Sequence, residues 1–470
     1  MSIATTNPAT GQVLKTFGEM SDEQVRAAIT TAVEGFQALR RTGFAERARW
    51  MMASADILEA ERDEIARTMT TEMGKTYAAA QAEVGKCATA ARFYAEHAEA
   101  YMADEPADAA AVGATRAYVR YQPLGPVLAV MPWNFPLWQV IRFAAPALMA
   151  GNVGLLKHAS NVPQTALFLA ELFRRAGFPP GAFQTLLVDS DAVQTILGDP
   201  RVRAATLTGS ERAGRAIAAI AGRELKRTVL ELGGSDPFVV MPSADLDRAA
   251  QVAATARCQN NGQSCIAAKR FIVHTDVYAA FAEAFVARMS ALRMGDPMAA
   301  DTDVGPLATE QGREDVEQQV RDAVDQGARV LCGGRRPDDD GWWYPPTVVA
   351  DLTPRMRMWS EEVFGPVAGL FRVSSYEEAI EVANGTSFGL GSNAWTRDPA
   401  EQERFATDLD AGSVFVNGMT TSHPELPFGG VRNSGYGREL SAVGLREFCN
   451  MKTVWMGEGA VPNGAGSHSE

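Results

Sequence analysis

The residue with the clearest chemical potential is Cys265, which lies in the segment QNNGQSCIAAK at positions 259–269. A polar turn of Asn, Gly, Gln and Ser residues precedes this cysteine, and a short apolar run follows it. The pattern predicts a thiol that stays accessible while a buried strand holds it in place. Because the thiolate of cysteine is a strong nucleophile, such a residue suits covalent catalysis. The alternative is that Cys265 is a small buried apolar side chain, as single cysteines usually are.

The composition of the chain is typical of a soluble globular protein with more than one domain. It has 470 residues, of which 46% are hydrophobic and 21% are charged. The formal net charge of −13 argues against binding to nucleic acid or to an anionic membrane, because both attract basic proteins. The five cysteines form no C-x-x-C pair, so we expect neither a disulfide framework nor a metal site.

Targeting signals are also missing from the sequence. The N-terminal segment MSIATTNPATGQ has no basic stretch followed by an apolar one, as a secretion signal would. No apolar run reaches the ~18 residues needed to cross a bilayer. The sequence therefore predicts a cytoplasmic protein.

Secondary-structure patterns divide the chain into a helical start and two alternating regions. The first hundred residues predict helices, including one that opens with a capping box at Ser21 and Gln24. From 136 to 240, and again from 245 to 430, short apolar strands alternate with helices. This alternation indicates parallel sheets covered by helices, and hence two α/β units in tandem. The Gly- and Ser-rich residues 458–470 predict a mobile tail.

Among the possible signatures of nucleotide binding, one is a better candidate than the others. The chain has no P-loop motif, and the match to G-x-G-x-x-A at Gly389 follows no buried strand, so we regard it as accidental. In TLTGSERAGRAIAAI, however, an apolar strand ends at Gly209 and Ser210, and a helix follows. Backbone N–H groups at such a helix start suit a pyrophosphate.

Taken together, the motifs resemble those of the aldehyde dehydrogenase superfamily over about residues 7–456. They occur in the family's order, as PWNFP, LLKHAS, LTGS, LELGG, GQSCIA, EEVFGP and PFGG. The resemblance is strongest to the bacterial succinate-semialdehyde dehydrogenases. It implies an α/β fold with two doubly wound α/β domains and a small β oligomerisation flap. The implied boundaries are 1–114 and 125–233 for the cofactor-binding domain, 234–432 for the catalytic domain, and 115–124 and 433–457 for oligomerisation.

The resemblance gives three residues catalytic roles. Cys265 would attack an aldehyde carbon, and the amide of Asn134 would stabilise the oxyanion together with the Cys265 backbone N–H. After hydride transfer, Glu231 would activate the water that hydrolyses the thioester. Without the resemblance, Asn134 is more simply a turn residue, and Glu231 is equally suited to a buried ion pair.

Further residues would bind the cofactor. Lys157 and Ser160 would contact the adenosine ribose, and Ser160 stands where NAD-preferring relatives carry a glutamate that repels a 2′-phosphate. We therefore expect NADP to be preferred and NAD to be accepted. Alternatively, Ser160 is only the N-cap of the helix that follows it. The rest of the expected cofactor site consists of Trp133, Gly209, Ser210, Leu232, Glu362 and Phe364.

The substrate assignment depends on a charged residue in an apolar helix. Arg142 lies in FPLWQVIRFAAPAL, and a buried arginine must either be paired or face a polar cavity. The resemblance implies that Arg142 and Ser422 hold the distal carboxylate of the substrate, with Trp138 and Gln139 beside them. The other interpretation is an internal salt bridge.

The resulting hypothesis is an enzyme that oxidises succinate semialdehyde to succinate as a homodimer or homotetramer. Three alternatives stay open. The first is a broader aldehyde dehydrogenase that takes glutarate semialdehyde or aliphatic aldehydes. The second is a CoA-acylating enzyme, and the third is a non-catalytic scaffold of the same fold.

Overall fold

The computed structural model of the protein describes residues 3–458, so the predicted tail lies outside the described residues except for its first position. The helices are α1 Asp22–Leu39, α2 Phe44–Ala60, α3 Arg62–Met73, α4 Tyr77–Tyr101, α5 Trp138–Ala150, α6 Pro163–Ala176, α7 Ala192–Gly198, α8 Glu211–Arg223, α9 Leu246–Cys258, α10 Thr275–Ala291, α11 Glu310–Asp325, α12 Arg357–Ser360, α13 Tyr376–Asn384, α14 Pro399–Asp408 and α15 Ser441–Arg446. The strands are β1 Ile3–Asn7, β2 Gln12–Phe17, β3 Glu105–Pro106, β4 Arg116–Pro123, β5 Pro126–Met131, β6 Val153–His158, β7 Phe183–Thr185, β8 Ala204–Thr208, β9 Arg227–Glu231, β10 Asp236–Val240, β11 Ala268–His274, β12 Arg329–Cys332, β13 Thr347–Ala350, β14 Val367–Val373, β15 Gly391–Trp395, β16 Ser413–Val416, β17 Gly435–Tyr436 and β18 Cys449–Met456.

A six-stranded sheet in the order β17-β9-β8-β5-β6-β7 forms the first α/β unit. Its strands are parallel except for the two-residue β17, which pairs antiparallel with β9. Helices α1, α5, α6 and α8 pack against these strands. Parallel strands end at a common edge, so the residues that follow β5, β6, β8 and β9 meet at that edge.

The second unit is a seven-stranded sheet in the order β12-β13-β14-β11-β10-β15-β16, in which only β12 is antiparallel to its neighbour. Alternate residues of its central strands enter different cores. Phe238 and Val240 of β10 belong to one hydrophobic cluster, whereas Val239 between them belongs to another. Both faces of this sheet are therefore covered, which explains why its strands are continuous apolar runs. The predicted α/β architecture is confirmed.

Two smaller antiparallel sheets complete the fold. Strands β18, β4 and β3 form a three-stranded sheet on which Met451 and Trp455 of β18 are 65% and 54% exposed. Strands β1 and β2 form a hairpin that the sequence did not predict, since only helices were expected before residue 102. The side chains of β2 are almost all exposed, so the strand lacks the apolar alternation that would reveal it. The capping box at Ser21 and Gln24 is confirmed.

Helix α5 is the element that joins the first sheet to the reactive residues. All thirteen of its residues are buried. Its first turn is capped by the carboxylate of Glu83 on α4, which accepts hydrogen bonds from the backbone N–H groups of Leu137 and Trp138 at 2.9 and 2.8 Å. The helix ends at Gly151 in the left-handed conformation, with φ of 99°. Any polar side chain on α5 must therefore find its partner inside the protein.

None of the helices within residues 3–458 is long and apolar enough to cross a membrane. The domain boundaries implied by the resemblance stay a prediction. Within them, Gly435–Tyr436 lies on the edge of the first sheet, although it belongs to the segment assigned to oligomerisation.

Candidate active site

The loop that carries Cys265 is held in an unusual conformation by its own side chains. Asn260 and Asn261 have φ values of 54° and 57° in the left-handed region, which asparagine tolerates better than most residues. The side-chain amide of Asn261 donates to the carbonyls of Gly74 and Pro306 at 2.8 and 2.9 Å. At Gly262, an added Cβ would lie only 2.3 Å from a backbone atom of Gly365. The polar turn is thus a rigid support for the half-buried Cys265 that follows it.

Asn134 is tied to the same loop. Its side-chain amide nitrogen donates to the carbonyl of Gln263 at 3.0 Å, and its amide oxygen accepts from Gln139 Nε2 at 3.0 Å. These two bonds fix the orientation of the amide, so that its nitrogen faces the cysteine loop. One N–H of that nitrogen stays available for a developing oxyanion. Asn134 and Cys265 line the same cavity.

Burial raises the pKa of the Cys265 thiol to about 12, against the opposing effects of the nearby Lys269 and Arg142. The Lys269 ammonium donates to the backbone carbonyls of Ser264 and Cys265. The raised pKa favours the protonated thiol at neutral pH. Attack on a substrate requires the thiol proton to be transferred to a base.

Glu231 is the last residue of β9, and its side chain is buried. Neither of its carboxylate oxygens has a hydrogen-bond partner among residues 3–458. Burial raises its pKa well above the usual value, the Arg142 guanidinium opposes this, and the Glu439 carboxylate adds to it. An added Cβ at Gly429 would lie 2.7 Å from Glu231 Oε1, so the glycines of PFGG leave room for this carboxylate. An unpaired buried carboxylate with a raised pKa suits a general base.

A first cavity of about 230 Å³ opens beside Cys265 at the carboxyl ends of β5, β8 and β9. Its walls include most residues that were predicted to bind the cofactor, namely Trp133, Gly209, Ser210, Leu232, Glu362 and Phe364. We call this space the cofactor cavity. Trp133 and Phe364 pack edge to face with ring centroids 5.7 Å apart. Glu362 accepts from the backbone N–H of Gly234 at 3.1 Å and lies 3.3 Å from Lys269 Nζ.

The cofactor cavity fits a dinucleotide in two respects. An added Cβ at Gly209 would meet nothing closer than 3.7 Å, so the backbone before α8 is open to a large ligand. Ser210 caps α8 by accepting from the N–H of Ala213, and the other N–H groups of the first turn have no partner within the helix. These features match the pyrophosphate site that the sequence predicted.

Lys157 and Ser160 lie at the end of β6, outside the cofactor cavity but on the same edge of the sheet. Burial lowers the pKa of Lys157. Helix α6 begins at Pro163, and its N-cap position is Val162, so Ser160 does not cap this helix. The Ser160 hydroxyl makes no hydrogen bond within residues 3–458 and is free to contact a ligand. The N-cap alternative for Ser160 is therefore wrong.

A second cavity, of about 270 Å³, opens on the other side of Cys265. We call it the substrate cavity. It brings together the predicted substrate residues Trp138, Gln139, Arg142 and Ser422. Among the lining residues to which the sequence assigned no role are Lys86, Gln259 and Phe428. Lys86 lies on α4, some 180 positions before the cysteine, and nothing in its Ala-rich helix signals that it faces a cavity.

Arg142 forms the internal salt bridge that was one of the two interpretations of its sequence. Its guanidinium forms a buried ion pair with Glu439, donates to Thr208 Oγ1 at 3.3 Å and lies over the Phe428 ring, 4.6 Å from the centroid. The internal salt bridge is thus present, and the same side chain also borders the substrate cavity.

No group of three or more His, Cys, Asp or Glu side chains is placed to hold a metal ion in the described part of the chain.

A nucleophilic thiol shared by two cavities, one of them at the carboxyl ends of parallel strands, on two tandem α/β units, is typical of a cysteine-dependent oxidoreductase of carbonyl compounds. The aldehyde dehydrogenase family model matches residues 1–454, and the chain belongs to this family. The fold class and the family predicted from the sequence are both confirmed.

Within the family, the chain is similar to several individual proteins. The chain is 67% identical over 456 residues to a protein of Mycobacterium tuberculosis named succinate-semialdehyde dehydrogenase NADP(+) 1, covering 97% of this chain and 100% of that protein. It is 65% identical over 458 residues to a succinate-semialdehyde dehydrogenase NADP(+) of Mycolicibacterium paratuberculosis, with 97% of each chain covered. Among solved structures, a succinic semialdehyde dehydrogenase of Streptococcus pyogenes in complex with NADP+ matches with a TM-score of 0.94 and 38% identity, covering 97% of this chain and 100% of that one.

Proposed function

We propose that the protein oxidises succinate semialdehyde to succinate, with NADP preferred over NAD as the hydride acceptor. The observation that carries the proposal is the position of Cys265 at the junction of the cofactor and substrate cavities. A thiol placed there reaches an aldehyde on one side, while a dinucleotide can approach from the other. The names of the relatives at 65–67% identity support the same substrate and cofactor.

The residues of the chain supply each step of this reaction. The Cys265 thiol gives up its proton to a base, and through it to solvent, as its sulfur bonds to the aldehyde carbon. The Asn134 amide and the Cys265 backbone N–H stabilise the oxyanion of the thiohemiacetal. NADP, when bound, accepts the hydride that leaves this carbon. Glu231 then removes a proton from the water that attacks the resulting thioester, which releases the acid and restores the thiol. One aldehyde, one water and one oxidised dinucleotide are consumed for each acid, reduced dinucleotide and proton released.

The choice of NADP depends on the end of β6. The free hydroxyl of Ser160 can donate a hydrogen bond to a 2′-phosphate. The Lys157 ammonium, near the end of the same strand, can attract that phosphate by its charge. Position 160 carries no carboxylate that would repel that phosphate. The absence of a helix-capping role for Ser160 supports its assignment to the cofactor.

For the substrate, we propose that Arg142 and Ser422 border the space for the distal carboxylate, with Trp138 and Gln139 forming its walls. All four line the substrate cavity with Cys265. The aldehyde end would then face the thiol, and the carboxylate end would face the polar part of the cavity.

We also propose a homo-oligomer that works in a reducing cytoplasm, with the domain boundaries given by the sequence. The exposed apolar side chains of β18 support an assembly, since an edge strand of this kind favours pairing with another chain. All five cysteines are free, which supports a reducing compartment.

The test is a panel of aldehydes assayed by NADPH or NADH formation at constant pH, with Cys265→Ala as the inactive control. Succinate semialdehyde with NADP should give the highest kcat/KM, above glutarate semialdehyde, butanal and hexanal and above the same reaction with NAD. Equal values for charged and uncharged aldehydes would contradict the substrate assignment. A rate that depends on added CoA would favour the CoA-acylating alternative, and no activity with any aldehyde would favour a scaffold.

A further inference from the structure

Lys86 is the cation of the substrate cavity that has no carboxylate partner among residues 3–458. It projects from the middle of α4 and borders the cavity together with Cys265 and Ser422. Its ammonium donates to Ser422 Oγ at 2.7 Å. It also lies over the indole of Trp138, 4.3 Å from the ring centroid. A hydroxyl and an aromatic face are neutral partners, so they leave its charge uncompensated.

The nearest carboxylate on the same helix is already used. Glu83 lies one turn before Lys86, but one of its oxygens is bound by Lys75, and the other accepts from the first two N–H groups of the α5 region. Glu83 therefore serves a buried ion pair and a helix cap. It cannot neutralise Lys86 without abandoning both.

Arg142 has the opposite status. Its charge is offset by Glu439, and both side chains of this pair are buried, at 3% and 5% exposure. Arg142 can still offer an N–H to a ligand, but the Arg142–Glu439 pair is neutral as a unit. Of the two cations that line the substrate cavity, Arg142 is neutralised by a carboxylate of the protein, whereas Lys86 is not.

We propose that Lys86 is the specificity-determining cation of this enzyme, and that its ammonium, together with the Ser422 hydroxyl, binds the distal carboxylate of the substrate. The inference deepens the proposed function and rests on it. A half-buried ammonium without a counter-ion loses part of its hydration, and a substrate carboxylate would supply the missing charge. Gln259, whose amide nitrogen is buried without a partner within the described residues, offers a further donor at the same cavity.

The test compares Lys86→Met with Lys86→Arg, using succinate semialdehyde and butanal, which have four carbons each and differ in the carboxylate. The readout is the ratio of kcat/KM for the two substrates with saturating NADP. We expect Lys86→Met to lower this ratio by about 30-fold or more, because one member of a buried charge pair is lost. Lys86→Arg should restore most of the ratio, since it keeps a cation at the same position.

Ser422→Ala is the matched control, since it removes the hydroxyl partner and leaves the ammonium. Its ratio should fall by about tenfold or less, as expected for one hydrogen bond to a charged group. Thermal denaturation of each variant checks that it is folded.

The proposal would be overturned if folded Lys86→Met kept the parental ratio, or if Lys86→Arg lost it to the same extent. This result is distinct from a failure of the proposed function, in which the parent enzyme itself shows no preference for the semialdehyde over butanal.

Discussion

The two cavities that meet at Cys265 handle charge in opposite ways. In the cofactor cavity, the carboxylate of Glu362 lies 3.3 Å from Lys269 Nζ, and the other lining residues carry no charged group. In the substrate cavity, the Lys86 ammonium faces only a hydroxyl and an indole. The charged groups of the cofactor cavity are thus paired within the protein, whereas the substrate cavity contains one cation without a carboxylate partner among residues 3–458. The comparison indicates that cofactor affinity is spread over many contacts and that substrate choice depends on few.

The largest effect should come from the buried carboxylate of Glu231. Replacing Glu231 by Gln removes the base for water and should lower steady-state kcat by about 10²–10⁴-fold. A burst of one NADPH per active site should precede the slow phase, because acylation of Cys265 precedes the lost step. Rapid mixing followed at 340 nm measures both phases.

The pH profile of the parent enzyme provides a second check on Glu231. Burial raises its pKa, so the carboxylate is protonated at low pH and becomes a base only above its raised pKa. The parent kcat should therefore increase with pH on the acid side, and this increase should vanish in Glu231→Gln. A slow variant without a burst would instead assign Glu231 to activation of the thiol.

The second effect tests the contrast between Arg142 and Lys86 through stability. Arg142→Met leaves Glu439 buried without its counter-ion, which should lower the free energy of unfolding by about 3–5 kcal/mol. Lys86→Met strands no carboxylate and should cost much less. Urea denaturation followed by tryptophan fluorescence compares the two. The double variant Arg142→Met with Glu439→Leu should recover much of the lost free energy of unfolding. If it did not, the destabilisation by Arg142→Met would not come from the unpaired Glu439 carboxylate.

The same contrast explains which parts of the site the sequence could predict. Residues of the cofactor cavity follow directly after strands, in short motifs such as LTGS and LELGG, so their local pattern already places them at one edge of a sheet. Fold class follows from the alternation of strands and helices for the same reason. The hairpin of β1 and β2 was missed because its second strand is exposed and has no apolar alternation.

The substrate cavity is assembled from elements far apart in the chain, and there the sequence was less informative. Arg142 was recognised as a buried charge that needed a partner, but its partner Glu439 is almost three hundred positions away. Lys86 stands on a helix whose solvent-facing and cavity-facing positions look alike in sequence. Only the packing of α4 against α5 shows that it borders the substrate cavity. Pairing at long range decides whether a charge is neutralised, and a linear pattern does not contain that information.

A smaller effect is expected on the cofactor side, at Ser160. The variant Ser160→Glu would place a carboxylate near the 2′-phosphate, and the repulsion should raise KM for NADP by about 10–100-fold. KM for NAD, which lacks that phosphate, should change little, so the preference should move toward NAD. Ser160→Ala is the control, and its effect should be confined to the loss of one hydrogen bond. An equal rise in KM for both cofactors would show that residue 160 affects dinucleotide binding in general and does not contact the 2′-phosphate.

The smallest effect is a pH dependence that separates Lys86 from its surroundings. Burial, followed by the charge of Arg142 on α5, lowers the pKa of Lys86 to about 8, against the opposing effects of Cys87 and Glu83 on its own helix. The ammonium is therefore present below this pH and is lost above it. For succinate semialdehyde, kcat/KM should fall relative to that for butanal above about pH 8, by at most about tenfold per pH unit. Dividing the two values cancels the titration of Cys265 and of the water-activating base, which both substrates share. In Lys86→Arg the guanidinium stays charged over this range, so the relative fall should disappear. If it persisted there, the titrating group would be elsewhere in the cavity, and the charge that selects the substrate would have to be sought at Arg142.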